Sequence, residues 1–452
     1  MFCSDMAVVS KFGGSSILQF EQVVRIVESD DAERQWVVVS APSDADKKYR
    51  VTQMLIRLAD LYRNSAPTHT QRIPSESVDE LRLRIGEKFS SVFGGKVNFQ
   101  VKEQLEARLK RLDLMYPAYL ANMKAFGEDM TARLVASELE GFEYANLRDV
   151  MLVDGPYDAA SVRFQSYAAM KNKLSKGKFV IPGFFGYDTD QSVKTFAFGG
   201  SDKTGAEIAR GVGAVLYENF TDSPIRTADP RLVPGAKVIS EMTLTELRDL
   251  SYAGFGIYHS EAIEPLVADR IPIHVRSTKD FPATGTFVRA DRVDDVGRPV
   301  VGVAYREGLC AFSLSRVGLN DMMGVLADTA VVLKKHGIAV EFPAVGIDDV
   351  SYVASQDTIS GSSLDAIASS FSQISRGGKF VFYDHLGCVV IAGKGIERNP
   401  LLVSSRASSA LASSRVDVLA SSMGIERRCI LYAVPCEQGE LAVKTLYDTF
   451  IV

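Results

Sequence analysis

Residues 194–211 read KTFAFGGSDKTGAEIARG, in which two glycines, a serine and an aspartate separate a strand-like run from a helix-like run. A similar turn follows the first apolar stretch, where residues 6–17 read MAVVSKFGGSSI. A strand that ends in Gly-Gly and leads into a helix leaves backbone N–H groups free at the helix N-terminus, where an anion is favoured. Either turn alone is equally explained by the backbone freedom of glycine. The two turns together are the first indication of a phosphate site.

Strands and helices alternate along the first two thirds of the chain. WVVVSA at 36–41 is a continuous apolar run, which is typical of a strand buried on both faces of a parallel sheet. The segment 76–140 has helical periodicity, and strand-like and helix-like runs alternate again from there to about residue 278. This order predicts an α/β domain in which helices cover the sheet.

The pattern changes after about residue 299. A β-α-β-β-α order of about 70 residues appears twice, which indicates an internal duplication of a ferredoxin-like motif. The serine-rich stretch 403–415 carries regularly spaced Leu and Ala, so we predict a packing helix rather than a linker. We predict three domains, at 1–298, 299–385 and 386–452.

Composition excludes several classes of protein. The net charge is −5 and no long basic run is present, which argues against a nucleic-acid-binding protein. No apolar stretch has the length of a membrane span or the form of a signal peptide. The five cysteines lack CxxC spacing and the five histidines form no HxxxH pair, so we expect reduced thiols and no zinc site. These observations predict a cytoplasmic protein with no membrane and no nucleic-acid partner.

Several short motifs, taken together, resemble one family. They are KFGGSS at 11–16, VVVSAP at 37–42, GE at 127–128, GGSD at 199–202, NFTD at 219–222 and TADPR at 227–231. In this combination and order the chain resembles the aspartate kinases of the amino-acid kinase superfamily along its whole length. Its C-terminal pair of repeats is similar to the two ACT domains that follow the kinase domain in that family.

The resemblance implies a three-layer αβα amino-acid kinase domain followed by two ferredoxin-like (βαββαβ) ACT domains. It also implies ATP-dependent phosphorylation of the L-aspartate β-carboxylate, the first step towards lysine, threonine and methionine. A carboxylate with a pKa near 3.9 is already ionised at neutral pH, so the reaction needs no general base. It needs in-line positioning and neutralisation of phosphoryl charge. Mg²⁺ is expected as cofactor, held mainly by ATP oxygens and water, with no metal ligand predicted among the side chains.

The resemblance also implies roles for individual residues. Lys11 is the expected cation at the transferring phosphoryl group, and Asp202 is expected to orient it. The residues implied on the ATP side are Lys11, Gly13, Gly14, Ser15, Gly200, Thr221, Asp222 and Arg231. Those implied on the amino-acid side are Ser40, Glu128, Phe184 and Ser201. From the residues alone, a helix cap is the better explanation of Asp202, and Glu128 could be an ordinary first-turn residue.

One departure from the family affects the substrate side. The family writes Arg-Gly-Gly-Ser-Asp at the second turn, and here Phe198 stands in place of the arginine. A lost charge-assisted hydrogen bond is worth roughly 1.5–3 kcal/mol, or about ten- to a hundredfold in affinity. Lys203 or Arg226 could replace the arginine. Alternatively, the substrate is a different amino-acid carboxylate, or the chain is a catalytically weak regulatory relative.

The C-terminal repeats contain candidate regulatory residues. VGLNDMMG keeps Asn320 and Gly324 of a turn that effector-binding relatives carry in the first ACT domain, and MGIERRC keeps Glu426 in the second. The resemblance therefore implies an amino-acid effector whose identity the sequence leaves open. We also predict a homodimer, because such small sheets commonly bury an edge or a face across a two-fold axis.

Overall fold

The structure is a computed structural model. It describes residues 7–64, 77–197, 199–255, 260–292, 298–359 and 361–452. The backbone divides into two compact units. The first unit comprises residues 1–225, 240–244 and 258–291, and the second comprises 226–239, 245–257 and 292–452. The predicted domain boundaries after residues 298 and 385 stay predictions.

Twelve of the strands belong to the first unit. They are β1 Ala7–Phe12, β2 Glu33–Val39, β3 Phe142–Tyr144, β4 Val153–Asp154, β5 Ser161–Val162, β6 Lys178–Pro182, β7 Phe185–Tyr187, β8 Val193–Thr195, β9 Leu216–Thr221, β10 Glu241–Thr243, β11 Ile273–Ser277 and β12 Thr286–Arg289. The helices up to residue 268 are α1 Gly14–Ile17, α2 Phe20–Val27, α3 Val51–Asn64, α4 Val78–Phe93, α5 Asn98–Leu109, α6 Tyr116–Lys124, α7 Phe126–Glu138, α8 Gln165–Leu174, α9 Gly200–Val212, α10 Leu244–Tyr252 and α11 Ser260–Ala268.

Eight of these strands form one sheet, in the order β10-β12-β11-β9-β1-β2-β6-β3. Every neighbouring pair is parallel except β11 and β12. Val37, Val38 and Val39 of β2 are fully buried, as expected for a strand with a helix layer on each face. The predicted parallel sheet is confirmed.

Helices cover both faces of this sheet. On one face, α2 and α7 pack against Phe12, Val37, Val39 and Phe220. On the other face, α9 packs on β1 and β9, with α8 and α11 beside it. The three-layer αβα architecture is therefore confirmed. Helices α3 to α7 enclose a separate apolar core around Phe89, and α4 to α7 lie in the segment predicted to be helical.

The second unit carries six strands and four helices after residue 300. They are β13 Gly302–Ser315, α12 Val325–Lys335, β14 Val340–Val345, β15 Asp349–Ser355, α13 Gly361–Ile374, β16 Lys379–Ala392, α14 Pro400–Ser413, β17 Ala420–Ser422, β18 Cys429–Pro435 and α15 Cys436–Phe450. The predicted helix in the serine-rich stretch is confirmed as α14, which buries Val403, Ala407 and Leu411. Among the described residues, no helix combines the length and the apolar character needed to cross a membrane.

The two ferredoxin-like halves of the second unit share their longest strands. The sheet order is β14-β15-β13-β16-β18-β17. Residues 309–315 of β13 pair with β15 and with the start of β16, which completes the first half. Residues 302–306 pair with the end of β16, which also pairs with β18. The fourth strand of the second half is therefore the start of β13, a segment that precedes the whole first half in the sequence. The predicted duplication is confirmed, and this sharing is an addition to it.

A buried charge network lies on one face of the central strands of the first unit. The carboxylate of Glu218 on β9 accepts from Arg34 at 2.7 and 3.1 Å, from Arg276 at 3.1 Å and from the Ser10 hydroxyl at 2.8 Å. Asp31 joins both guanidinium groups, at 2.8 and 2.7 Å. Burial opposes ionisation of Asp31, but the hydrogen bonds from Arg34 and Arg276 outweigh it and lower the pKa of this carboxyl. The network holds β1, β2, β9 and β11 together.

We expect Glu218→Ala to lower the stability of the fold by about 3–5 kcal/mol, because it leaves buried guanidinium groups without their central carboxylate. Glu241→Ala is the matched control, since the Glu241–Arg289 ion pair of the same sheet is about half exposed, with side chains at 44% and 45%. It should cost no more than about 1 kcal/mol. Urea unfolding followed by circular dichroism measures both, and equal losses would contradict the prediction.

Candidate active site

The predicted site residues of the first unit gather where four parallel strands end. Backbone hydrogen bonds tie the loops that follow these strands to their neighbours. The Gly13 N–H donates to the Phe220 carbonyl at 3.1 Å, and the Ser40 N–H donates to the Phe12 carbonyl at 3.2 Å. The Gly183 N–H likewise donates to Val39 at 2.9 Å. The loops after β1, β2, β6 and β9 therefore share one edge of the sheet, where open α/β sheets bind their ligands.

An ion pair lies at the centre of this edge. The Lys11 ammonium is 2.7 Å from Asp202 Oδ1, and both side chains are largely buried. Asn219 donates from Nδ2 to the same Oδ1 at 2.9 Å. The N-cap of α9 is Gly199, so the Asp202 carboxylate is engaged by Lys11 and Asn219 rather than serving as the cap. The ion pair thus joins β1, which precedes the first glycine turn, to α9, which follows the second glycine turn.

The two glycine turns pack closely against neighbouring loops. A Cβ atom on Gly14, the first residue of α1, would lie 2.4 Å from the Ala41 carbonyl oxygen and 2.4 Å from Ser43 Cβ. A Cβ atom on Gly200, the first residue of α9, would lie 2.6 Å from the ring of Phe184. A side chain at either position would overlap these atoms, so only glycine allows the helix backbone to approach the neighbouring loops this closely. Bare backbone N–H groups at such positions suit a phosphate.

Glu128 is the second buried acid of this edge. It lies in the first turn of α7 and is 5% exposed, and its Oε2 atom is buried without a hydrogen-bond partner in the described part of the chain. Burial raises the pKa of Glu128 to about 8, against the opposing effect of backbone hydrogen bonds at Ala41 and at Glu128 itself. A buried acid with a raised pKa and an unpaired oxygen is suited to a cationic group of a ligand.

The other candidates of the first unit surround these two acids. Ser15 lies in α1, Ser40 follows β2, and Ser201 lies in the first turn of α9. Thr221 ends β9, and Asp222 follows it. Phe184 follows β6 with φ of 79°, and its N–H donates to Thr204 Oγ1 at 2.9 Å. Its position over Gly200 is compatible with the predicted wall of a pocket.

Four further predicted residues belong to the substrate and nucleotide sides, namely Phe198, Lys203, Arg226 and Arg231. Phe198 lies outside the described residues. Lys203 lies in α9, with Nζ 3.4 Å from the Ala160 carbonyl and 5.2 Å from the centre of the Phe196 ring. Arg231 belongs to the second unit, where it pairs with Asp229 at 2.6 Å and its side chain is 87% exposed. Arg226, the other proposed replacement cation, also belongs to the second unit.

The predicted regulatory residues lie at turns of the second unit. Asn320 is part of the short helical turn Leu319–Asp321, and Gly324 precedes α12 with φ of 84°. Glu426 forms an ion pair with Arg428 at 2.6 Å and is well exposed. Their roles stay predictions.

Asn219 is the residue of this site that the sequence analysis missed. The motif NFTD contains it, but only Thr221 and Asp222 were assigned a role. Asn219 is 2% exposed and lies opposite Lys11 in the β1–β9 register. Asn219 and Glu218 stand between the apolar residues of this strand, and buried polar side chains are a signal that sequence can give, since such groups need a partner.

The side chains of this edge offer few ligands for a magnesium ion. Within the described ranges, no three His, Cys, Asp or Glu residues cluster as metal ligands. Asp202 offers one carboxylate beside the two glycine turns. This single donor fits Mg²⁺ bound mainly through substrate phosphates and water, as that ion commonly is.

Comparison with known proteins gives a consistent result. Residues 6–277 match the amino acid kinase family. Aspartokinase 3 of Bacillus subtilis is 31% identical, and the alignment covers 98% of each chain. The crystal structure of Clostridium acetobutylicum aspartate kinase, described as an allosteric enzyme, has a TM-score of 0.80 and 27% identity, over 98% of this chain and 100% of that one. Escherichia coli aspartokinase III, solved with aspartate and ADP, shares the fold at a TM-score of 0.74 and 21% identity, over 99% and 100%.

We expect Gly14→Ala to lower stability by about 1–3 kcal/mol, because its methyl group would overlap the 41–43 loop. Gly13→Ala is the matched control. Its nearest contacts would be the Phe220 oxygen at 3.6 Å and Lys11 Nζ at 3.7 Å, so the fold should be unchanged while a group beside Lys11 is obstructed. Thermal unfolding and nucleotide binding by calorimetry separate the two effects. A destabilised Gly13→Ala protein would contradict this assignment.

Proposed function

This chain belongs to the amino acid kinase family, and to the aspartokinases within it, and we propose that the edge around Lys11 and Asp202 is where it phosphorylates L-aspartate with ATP. An oxygen of the aspartate β-carboxylate attacks the γ-phosphorus, the bond to the β–γ bridging oxygen breaks, and ADP leaves. The product is 4-phospho-L-aspartate. The observation that carries this proposal is the buried Lys11–Asp202 ion pair between two glycine turns.

Lys11 supplies the positive charge that phosphoryl transfer needs. Negative charge accumulates on the oxygens of the transferring group, and a fixed ammonium in a partly water-excluded site stabilises it more than water does. Asp202 holds this ammonium at 2.7 Å at the end of β1. The backbone of Gly13, Gly14 and Gly200, with the hydroxyl of Ser15, would bind the remaining phosphate oxygens.

Magnesium is proposed as the metal cofactor. When bound, it neutralises charge on the ATP phosphates. Asp202 is the residue of this chain that would face the ion, with most ligands coming from ATP and water.

Glu128 is proposed to bind the α-ammonium group of aspartate. Its carboxyl is buried, one of its oxygens has no partner among the described residues, and its pKa is raised to about 8. An ammonium ion beside it would restore the ionised form. Ser40, Ser201 and Phe184 line the same edge and would complete the amino-acid side.

Lys203 is our proposed replacement for the arginine that Phe198 displaces. The only hydrogen bond of its ammonium within the described residues is a long one, 3.4 Å to the Ala160 carbonyl, so a substrate carboxylate would be a stronger partner. A different carboxylate substrate, or weak catalysis, are the alternative outcomes of the test below. Thr221 and Asp222 keep their proposed nucleotide roles, and the role of Arg231 stays a prediction.

The second unit is proposed to bind an amino-acid effector and to pair with a second copy of the chain. Its ferredoxin-like halves end in the edge strands β14 and β17, which such a pairing could cover. The homodimer, the effector and the cytoplasmic location stay predictions. Light scattering with and without lysine or threonine tests the first two.

A hydroxylamine trap tests the reaction, because hydroxylamine captures an acyl phosphate on any amino acid. With MgATP, we expect aspartyl hydroxamate from L-aspartate and none from L-glutamate. Lys11→Met should lower kcat by about 100- to 1,000-fold, because it removes the charge that stabilises the transition state. Lys203→Met should mainly raise the KM for aspartate if this lysine binds the carboxylate. Turnover of another carboxylate, with aspartate inert, would refute the substrate assignment.

The raised pKa of Glu128 predicts proton release on aspartate binding. Below pH 8 the free carboxyl is mainly protonated, and pairing with the substrate ammonium favours its ionised form. Binding at pH 7 should therefore release close to one proton, and this release should fall as the pH rises through about 8. Calorimetry in phosphate and Tris, which differ in ionisation enthalpy, measures it. Glu128→Gln should bind aspartate more weakly without proton release, and a buffer-independent binding enthalpy for the wild type would contradict the assignment.

A further inference from the structure

Asn219 occupies a position next to the reacting groups that none of the proposed roles uses. It lies on β9 directly opposite Lys11 on β1, and both side chains point towards helix α9. Its Nδ2 atom is 2.9 Å from Asp202 Oδ1, the same oxygen that lies 2.7 Å from Lys11 Nζ. Two donors from neighbouring strands thus converge on one oxygen of the Asp202 carboxylate.

The orientation of the Asn219 amide is set by chemistry. A carboxylate oxygen only accepts hydrogen bonds, so the amide nitrogen must face Asp202 and the amide oxygen must face away. That Oδ1 atom of Asn219 is buried and has no hydrogen-bond partner among the described residues. Leaving a buried acceptor unpaired is unfavourable. Because its oxygen is buried without a partner, the Asn219 amide contributes little to the stability of the fold. Its side-chain hydrogen bond goes to Asp202.

The two donors differ in how firmly they are held. The asparagine amide is attached by a short side chain to a strand at the centre of the sheet. The lysine ammonium is at the end of a flexible four-carbon chain with three rotatable donors. If ATP binds at this edge, Lys11 can turn towards a phosphoryl oxygen while Asn219 stays in place. Without Asn219, the Asp202 side chain would follow Lys11 or rotate.

We propose that Asn219 is a positioning residue for Asp202. It holds Oδ1 of the carboxylate in place, so that Lys11 is free to engage the phosphoryl group. This inference rests on the proposed function, since it assumes that phosphate groups bind beside Lys11. It assigns to Asn219 no contact with either substrate.

The central test is Asn219→Leu, which keeps the branching of the side chain and removes the amide. We expect kcat to fall by about 10- to 100-fold, the range typical when a group that orients a ligand is lost. The KM for aspartate should change by less than about twofold, because Asn219 faces α9, whereas Glu128 belongs to α7 on the other face of the sheet. The urea midpoint should equal or exceed that of the wild type, because the unpaired amide oxygen is gone.

Val9→Ala is the matched control. Val9 is fully buried on β1, two residues before Lys11 and on the same face of the strand. Its truncation should lower the unfolding midpoint and leave kcat within about twofold of the wild type. A residue that acted only on stability would show the pattern of Val9→Ala, and Asn219→Leu is expected to show the reverse.

A double-mutant cycle on MgADP binding asks whether Asn219 acts through Asp202. Asn219→Leu should weaken MgADP binding about tenfold in the wild-type background and have no further effect in an Asp202→Ala background. Equal effects in both backgrounds, or a kcat within twofold of the wild type, would overturn the proposal. If the wild type forms no aspartyl hydroxamate, the proposed function fails, and the cycle on MgADP still decides the role of Asn219.

Discussion

The ion pair between Lys11 and Asp202 is the interaction around which the rest of the site is arranged. It joins the first strand of the sheet to helix α9, although 190 residues separate the two in the chain. The ammonium is available at the site because the carboxylate holds it in a fixed, largely buried position. Gly13 lies beside this ammonium, whereas Gly14 and Gly200 pack closely against the neighbouring loops.

Strands β1 and β9 use their two faces for different purposes. Ser10 and Glu218 point to one face and belong to the buried charge network, whereas Lys11 and Asn219 point to the other face and belong to the site. This division follows from the two-residue period of a strand. The network that holds four strands in register therefore also sets the separation of the groups that meet Asp202. Structural and chemical roles alternate residue by residue.

Much of the fold could be predicted because its signals are local. The apolar run at 36–41 and the repeated order after residue 299 both appear as elements of the expected type. Long-range pairings were harder. Nothing near Gly302 in the sequence indicates that the start of β13 serves the second ferredoxin-like half, since that depends on a partner 90 residues away. In the site, Asp202 was identified by resemblance, whereas the role of Asn219 depends on register between strands that are distant in sequence.

The sharing of β13 and β16 limits how the C-terminal region can be divided. Each strand runs through both ferredoxin-like halves, so neither half has a complete sheet of its own. A cut at the apparent boundary near residue 385 would pass through β16 and also deprive the second half of residues 302–306. The two halves thus form a single structural unit that cannot be divided without breaking the sheet. Exchange of a single repeat between relatives would therefore pair strand segments of different origin within one sheet, whereas exchange of the whole region keeps the paired segments together.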